Sequence, residues 1–279
     1  MMAMTSPSNS TLADLSRSLR RWMVSWWRIA EFALLIFSLA LTPSCYTRAN
    51  RHAIARQIVL ACAPNLLWFC VLTSLASVIL IRIVLVSAAS YGLSQFALEM
   101  VVRVLVLELI PLTAALFVAL RCTLPDGLEL ARLRASGAIA ALQQQGIDPA
   151  RREFLPRVLA AIFSVWLLAA VSCVTTLVLA YVTMYGFTPW AMNAYTHVVG
   201  QVFNAAVMTI LGLKILFFSL TVALIPMTSS FHEDATETPG AFPYQGRRHA
   251  RAAHGLADMV RLFSVILIIE VASLMGNYS

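Results

Sequence analysis

LELIPLTAALFVALRCTLPDGLELARLRASGAIAALQQQGIDPARREFLPRVLAA (107–161) changes character twice. Its first part closes an apolar run from about 97 to 120, and its last part opens another from about 158 to 185. Each is long enough to cross a hydrocarbon core about 30 Å thick. Between them stand Arg121, Arg132, Arg134, Arg151, Arg152 and Arg157. Two spans joined by an arginine-rich loop place that loop in the cytoplasm. Working outward, further runs at about 64–87, 200–226 and 258–276 bring the count to five spans. The other segments on the loop's side hold Arg17, Arg20, Arg21, Arg28, Arg48, Arg51 and Arg56, and then Arg247, Arg248 and Arg251. Sixteen of the 20 basic residues therefore lie on one side, whereas 88–96, 186–199 and the tail after Met275 carry no Lys or Arg. The expectation is an all-α integral membrane protein with its N-terminus inside and its C-terminus outside.

Composition excludes a soluble domain, since 60% of the residues are hydrophobic and 12% charged. The net charge of +7 is explained by cytoplasmic arginines beside anionic headgroups, without recourse to nucleic acid. Cys45, Cys62, Cys70, Cys122 and Cys173 show no CxxC spacing and read as small apolar residues.

At the N-terminus, basic residues precede the apolar run Ile29 to Leu41, an arrangement that imitates a signal peptide. The basic region is too long and contains Trp22, Trp26 and Trp27, and Thr42, Pro43 and Ser44 make a poor cleavage site. The 13 residues include Glu31 and rise only about 20 Å. Cations flank the run on both sides. The reading is an interfacial or shallow re-entrant helix over 12–42, closed by Pro43, with a sixth span as the alternative.

The loop from Arg121 to Arg157 is rich in helix formers. Pro125-Asp126 predicts a helix start, and Gly146 with Asp148-Pro149 predicts its end, giving a helix over about 126–145. Leu128, Leu130, Leu133, Ile139 and Leu142 make it partly apolar. It could receive force from a motor subunit or rest on lipid headgroups.

Over about 50 residues this region resembles the MlaE/YrbE family of ABC permeases, which serve Mce-type lipid transport. The family's RELGP is matched at Glu108, Leu109 and Pro111, its span-ending Arg at Arg121, and its AELG at Glu129. Its MR falls on Leu133-Arg134, and its GxDPxR with a following PR falls on Gly146, Asp148, Pro149, Pro156 and Arg157. Weaker similarity reaches RIAEFALLIFSLALTP (28–43), set against the family's elbow helix, and GLKILFF (212–218), set against its single-Lys span. Glu270 stands where the family usually has Asp. The chain departs from the pattern at Leu107, in place of Arg, and at Ile110, in place of Gly. It departs again at CTLP (122–125) and at Gly137-Ala138, and GRRHAR (246–251) aligns with the family's arginines only with added residues.

The resemblance implies residues 1–56 as a cytoplasmic N-terminus with the elbow helix and 57–279 as the permease domain. It further implies a dimer, an ATPase docked on each 126–145 helix, and an apolar pocket between the first and second spans facing a periplasmic Mce-domain partner. The implied cargo is phospholipid and the implied location the bacterial inner membrane, in a system maintaining outer-membrane lipid asymmetry. Pocket candidates are Leu107, Glu108 and Pro111, with Arg103 or Arg82 supplying the cation that Leu107 lacks. Coupling candidates are Glu129, Leu133, Arg134, Leu142, Gly146, Asp148 and Pro149.

Ionisable residues inside spans each cost several kcal/mol, in order of magnitude, unless paired or wet. Glu99 and Arg103, four apart on the second span, can pair along one face. Lys214, the only lysine, either lies buried or snorkels to the cytoplasmic edge. A phosphate-binding loop of the form GxxxxGK[ST] cannot be built around it, so ATP must be bound by a partner. Neither HExxH nor GxSxG occurs, and the five His have no ligand spacing. No cofactor or metal is expected. A membrane scaffold without a transport pocket, or an enzyme acting on lipid, are the alternative classes.

Overall fold

The computed structural model describes residues 7–42, 48–93, 96–232 and 244–278. Pro43 and Cys45 lie outside the described residues, as do the side chains of 7–22 and 244–255, which include Arg17 and GRRHAR (246–251). The chain is helical throughout its regular structure: α1 Pro7–Leu41, α2 Arg48–Ser90, α3 Ala97–Ala135, α4 Ala138–Gln144, α5 Ala150–Tyr185, α6 Met192–Val202, α7 Ala205–His232 and α8 Tyr244–Tyr278. There is no strand among the described residues.

Six of these helices are long and apolar enough to cross a membrane. Five correspond to the five expected spans. The sixth is Met23–Leu41 within α1, which reaches 19 residues because Met23, Val24 and the two tryptophans extend the run that begins at Ile29. Another expected boundary moves as well. The run 200–226 is interrupted at Phe203, where ψ turns to 59°, and Asn204 Oδ1 accepts the Val207 N–H at 2.9 Å to start α7 afresh. The residues before the break form α6. Its Tyr195 donates to the Leu177 carbonyl at 2.8 Å, and burial, with Tyr185 beside it, pushes that phenol up to about 12.

Contacts between helices fix their relative directions. Cys62 meets Ser164 at 3.0 Å, Thr73 meets Ser172 at 3.4 Å and Ser77 meets Thr176 at 3.0 Å. The partners rise together, so α2 and α5 run parallel, joined by small hydroxyl and thiol side chains of the kind that lets membrane helices approach closely. Val106 with Cys173, and Glu129 with Arg157, make α3 antiparallel to α5. Glu108 with Lys214, and Gly127 with Pro226, make α7 parallel to α3. Lys214 with Glu270, and Ile210 beside Gly276, make α8 antiparallel to α7. The helices α2, α3, α5, α7 and α8 thus alternate in direction. One end of the bundle gathers the arginine-rich segment 121–157, the other the arginine-free segments 88–93 and 186–199, and the two are called the arginine face and the arginine-free face below.

Three π-helical segments, Val102–Leu109, Ala119–Thr123 and Ala150–Phe154, share a cause. Each ends two residues before a proline: Pro111, Pro125 and Pro156. Proline lacks an N–H and its ring crowds the carbonyl four residues back. The residue before each proline instead bonds five back, Ile110 to Leu105, Leu124 to Ala119 and Leu155 to Ala150, and the wider turn makes room. For this reason the expected helix start at Pro125 is not one. α3 runs through to Ala135, Gly137 breaks it at φ 77°, and α4 ends before Gly146 at φ 73°. The segment expected as one helix over 126–145 is the end of α3 plus the short α4.

Candidate functional site

Glu108, Lys214 and Glu270 come from three helices and meet inside the bundle. Lys214 Nζ contacts Glu108 Oε2 directly and lies 2.9 Å from Glu270 Oε2, with its side chain 1% exposed. It also donates to the Leu107 carbonyl at 3.3 Å and sits 5.8 Å from the Phe218 ring centre. That carbonyl is available because its helical partner would be the N–H of residue 111, which is proline. The next freed carbonyl, Val106, accepts from Cys173 Sγ at 3.7 Å. One proline therefore opens the backbone of α3 at the level where the charges meet. A buried ammonium is tolerated only when it is paired and hydrogen-bonded, and here it donates to the Glu108 carboxylate and the Leu107 carbonyl with the Glu270 carboxylate beside it as a second counter-charge.

Sequence reasoning singled out Glu108 and Pro111 but did not join them to Lys214 and Glu270. Lys214 does not snorkel. The signal was the depth of each residue from the arginine-free end of its helix. Glu108 is eleven residues past Ala97, Lys214 nine past Ala205 and Glu270 eight before Tyr278, or roughly 17, 14 and 12 Å.

Between the arginine-free ends of α2 and α3 lies an apolar groove of about 310 Å³. Ile83, Val84, Ser87, Ala88 and Tyr91 line one wall, and Phe96, Ala97, Met100 and Val104 the other, with Leu93 at the tip. Leu107, Glu108 and Pro111 do not line it. Leu107 is buried with Leu98, Val102, Tyr195 and Val202. Arg103 pairs with Glu99, Nε to Oε1 at 3.0 Å, on the face of α3 that carries the groove. Arg82 is exposed and falls on the opposite side of α2 from the line of Ile83, Ser87 and Tyr91.

On the arginine face the coupling candidates share one small unit. Arg157 Nη1 bonds Glu153 at 2.7 Å, and its Nη2 reaches Glu129 at 3.8 Å, tying α5 to the end of α3. Asp148 Oδ1 accepts the Ala150 N–H at 3.0 Å and Oδ2 meets Arg151 at 3.5 Å, capping α5. Gly146 supplies the left-handed turn before that cap. Leu133 is half-buried against a cluster built on Phe32, Ile36, Leu130, Ile139 and Phe154, and Leu142 is half-buried at the surface. Arg134, Asp148 and Pro149 line a cleft of about 230 Å³ together with Leu35 and Leu39 of α1. Among the described residues, no group of three or more His, Cys, Asp or Glu could hold a metal ion.

A family model described as Permease MlaE matches residues 54–275. No curated protein matches the chain.

Proposed function

Since the chain belongs to the MlaE permease family, and is thereby the membrane subunit of an ABC transporter rather than an enzyme in itself, we propose that it moves phospholipid between the bacterial inner membrane and a periplasmic Mce-domain partner. The observation that carries this reading is the apolar groove between α2 and α3. Acyl chains gain ~0.8 kcal/mol for each methylene removed from water, and a wall without charges suits them. Energy comes from the ATPase partner with which permeases of this family work. That partner docks on the unit formed by the end of α3 and α4, whose ties to α5 through Arg157 carry motion into the bundle.

Two permeases form a dimer in this proposal, with the groove at their interface. Support comes from α2, whose Leu67, Val71, Leu75, Ile79 and Ile83 are each more than half exposed. α1 acts as the elbow. Its Phe32 and Ile36 are buried against Leu130, Phe154, Leu155 and Met227, all at the arginine face, as suits a helix lying along that face.

The test is lipid retention. The purified permease should carry lipid phosphorus, and Ala88→Trp, which fills the groove, should lower it severalfold without loss of folded protein. Equal phosphorus in both proteins would rule out the groove as the lipid site.

A further inference from the structure

The exposed face of α3 near its arginine-free end carries Phe96, Met100 and Val104, which line the groove, and between them Glu99 and Arg103. These positions follow the spacing of a single helix face. The Glu99–Arg103 pair is 41% and 32% exposed by side chain, and it stands within the first two turns of α3. It also holds the charges nearest the groove. The lining residues include no charged side chain, Arg82 is on the far side of α2, and Lys214 is bound to Glu108 and Glu270.

We propose that Glu99 and Arg103 read the lipid headgroup, selecting zwitterionic phosphoethanolamine lipids over anionic phosphoglycerol lipids. The inference rests on the lipid-permease reading above. The pair is itself a zwitterion, its groups in contact at 3.0 Å, with Glu99 rooted nearer the start of α3 and Arg103 one turn, roughly 6 Å along the backbone, further in. A phosphoethanolamine headgroup in the same leaflet has its ammonium outermost and its phosphate beneath. Phosphate then meets the Arg103 fork, which suits it geometrically, and ammonium meets Glu99. An anionic headgroup without an ammonium leaves Glu99 facing a like charge, which is the repulsive element that discrimination requires.

The full-length permease, exchanged into nanodiscs of equal phosphatidylethanolamine and phosphatidylglycerol, is repurified in detergent and its bound lipids are quantified by mass spectrometry. The wild type is expected to be enriched in phosphatidylethanolamine, and Glu99→Gln to shift the ratio toward phosphatidylglycerol about fivefold, the factor that ~1 kcal/mol gives. The swap Glu99→Arg with Arg103→Glu keeps an ion pair but reverses its order, and is expected to lose the enrichment. A wild-type ratio in Glu99→Gln, or in the folded swap, overturns the proposal and reduces the pair to a helix brace. Absence of any bound lipid in the wild type overturns it too, but by removing the permease reading beneath it.

Discussion

Gly127 lies so close to the backbone of Pro226 that a Cβ placed on it would stand 2.8 Å from the Pro226 carbonyl oxygen. The obstacle is main chain, so it cannot swing aside. The end of α3 and α7 are in backbone contact just where the coupling unit begins. Gly127→Ala should lower stability by about 1–3 kcal/mol, as overpacking does, and Gly127→Val by more. Thermal stability followed by size-exclusion chromatography checks this, and an unchanged transition in Gly127→Val would contradict the contact.

Removing Lys214 should be far worse than removing the whole triad. Lys214→Met leaves two carboxylates facing each other in the bundle and should cost about 3–5 kcal/mol, read as loss of folded protein after extraction. Adding Glu108→Gln and Glu270→Gln to it should restore much of the yield. Independent, additive losses across the three sites would mean that the charges do not act together.

Pro111→Ala tests how the backbone serves the triad. Replacing a proline inside a helix ordinarily stabilises it. Here the new N–H would close onto the Leu107 carbonyl and compete with Lys214 for it, while narrowing the π turn. A decrease in thermal stability is the expected sign, and an increase would show that the proline is merely tolerated.

The side of each loop is open to labelling. Cysteines placed at Ser90 and Asn193 should react with an impermeant reagent from outside the cell, and one at Ser136 should not. A reporter fused after Asn50 should be cytoplasmic if α1 is an elbow. A periplasmic signal there would make α1 a sixth span.

Docking of the ATPase distinguishes two leucines. Leu133→Asp puts a charge into the cluster around Phe32 and Phe154 and should destabilise the permease itself. Leu142→Asp should leave the permease folded and release the ATPase in co-purification. Retention at wild-type level would move the docking site elsewhere on the arginine face.

The spans were legible because a bilayer imposes length and the arginines impose a side, two constraints that act on the chain locally. The Glu99–Arg103 pair was legible for the same reason, being four residues apart on one helix. What escaped were effects of neighbours. Pro125 has the form of a helix start, yet the π turn at Ala119–Thr123 lets α3 pass through it. Met23–Leu41 attains spanning length only when its tryptophans are counted as membrane-compatible. Lys214 stood open between burial and snorkelling because nothing near it in the chain is acidic, whereas its partners arrive from 106 residues before and from another helix after.

That separation has a meaning for how the protein is made. At a translation rate of about 5–20 residues per second, Glu108 leaves the ribosome on the order of 10 s before Lys214, 106 residues later, and Glu270 comes later still. For that interval the second span carries a carboxylate with no ammonium to meet it. An ionisable group inside a span costs several kcal/mol, in order of magnitude, unless paired or wet, and its partner comes only with the fourth span. The triad is therefore closed late in synthesis, and the packing of the early helices around it is completed only by the late ones.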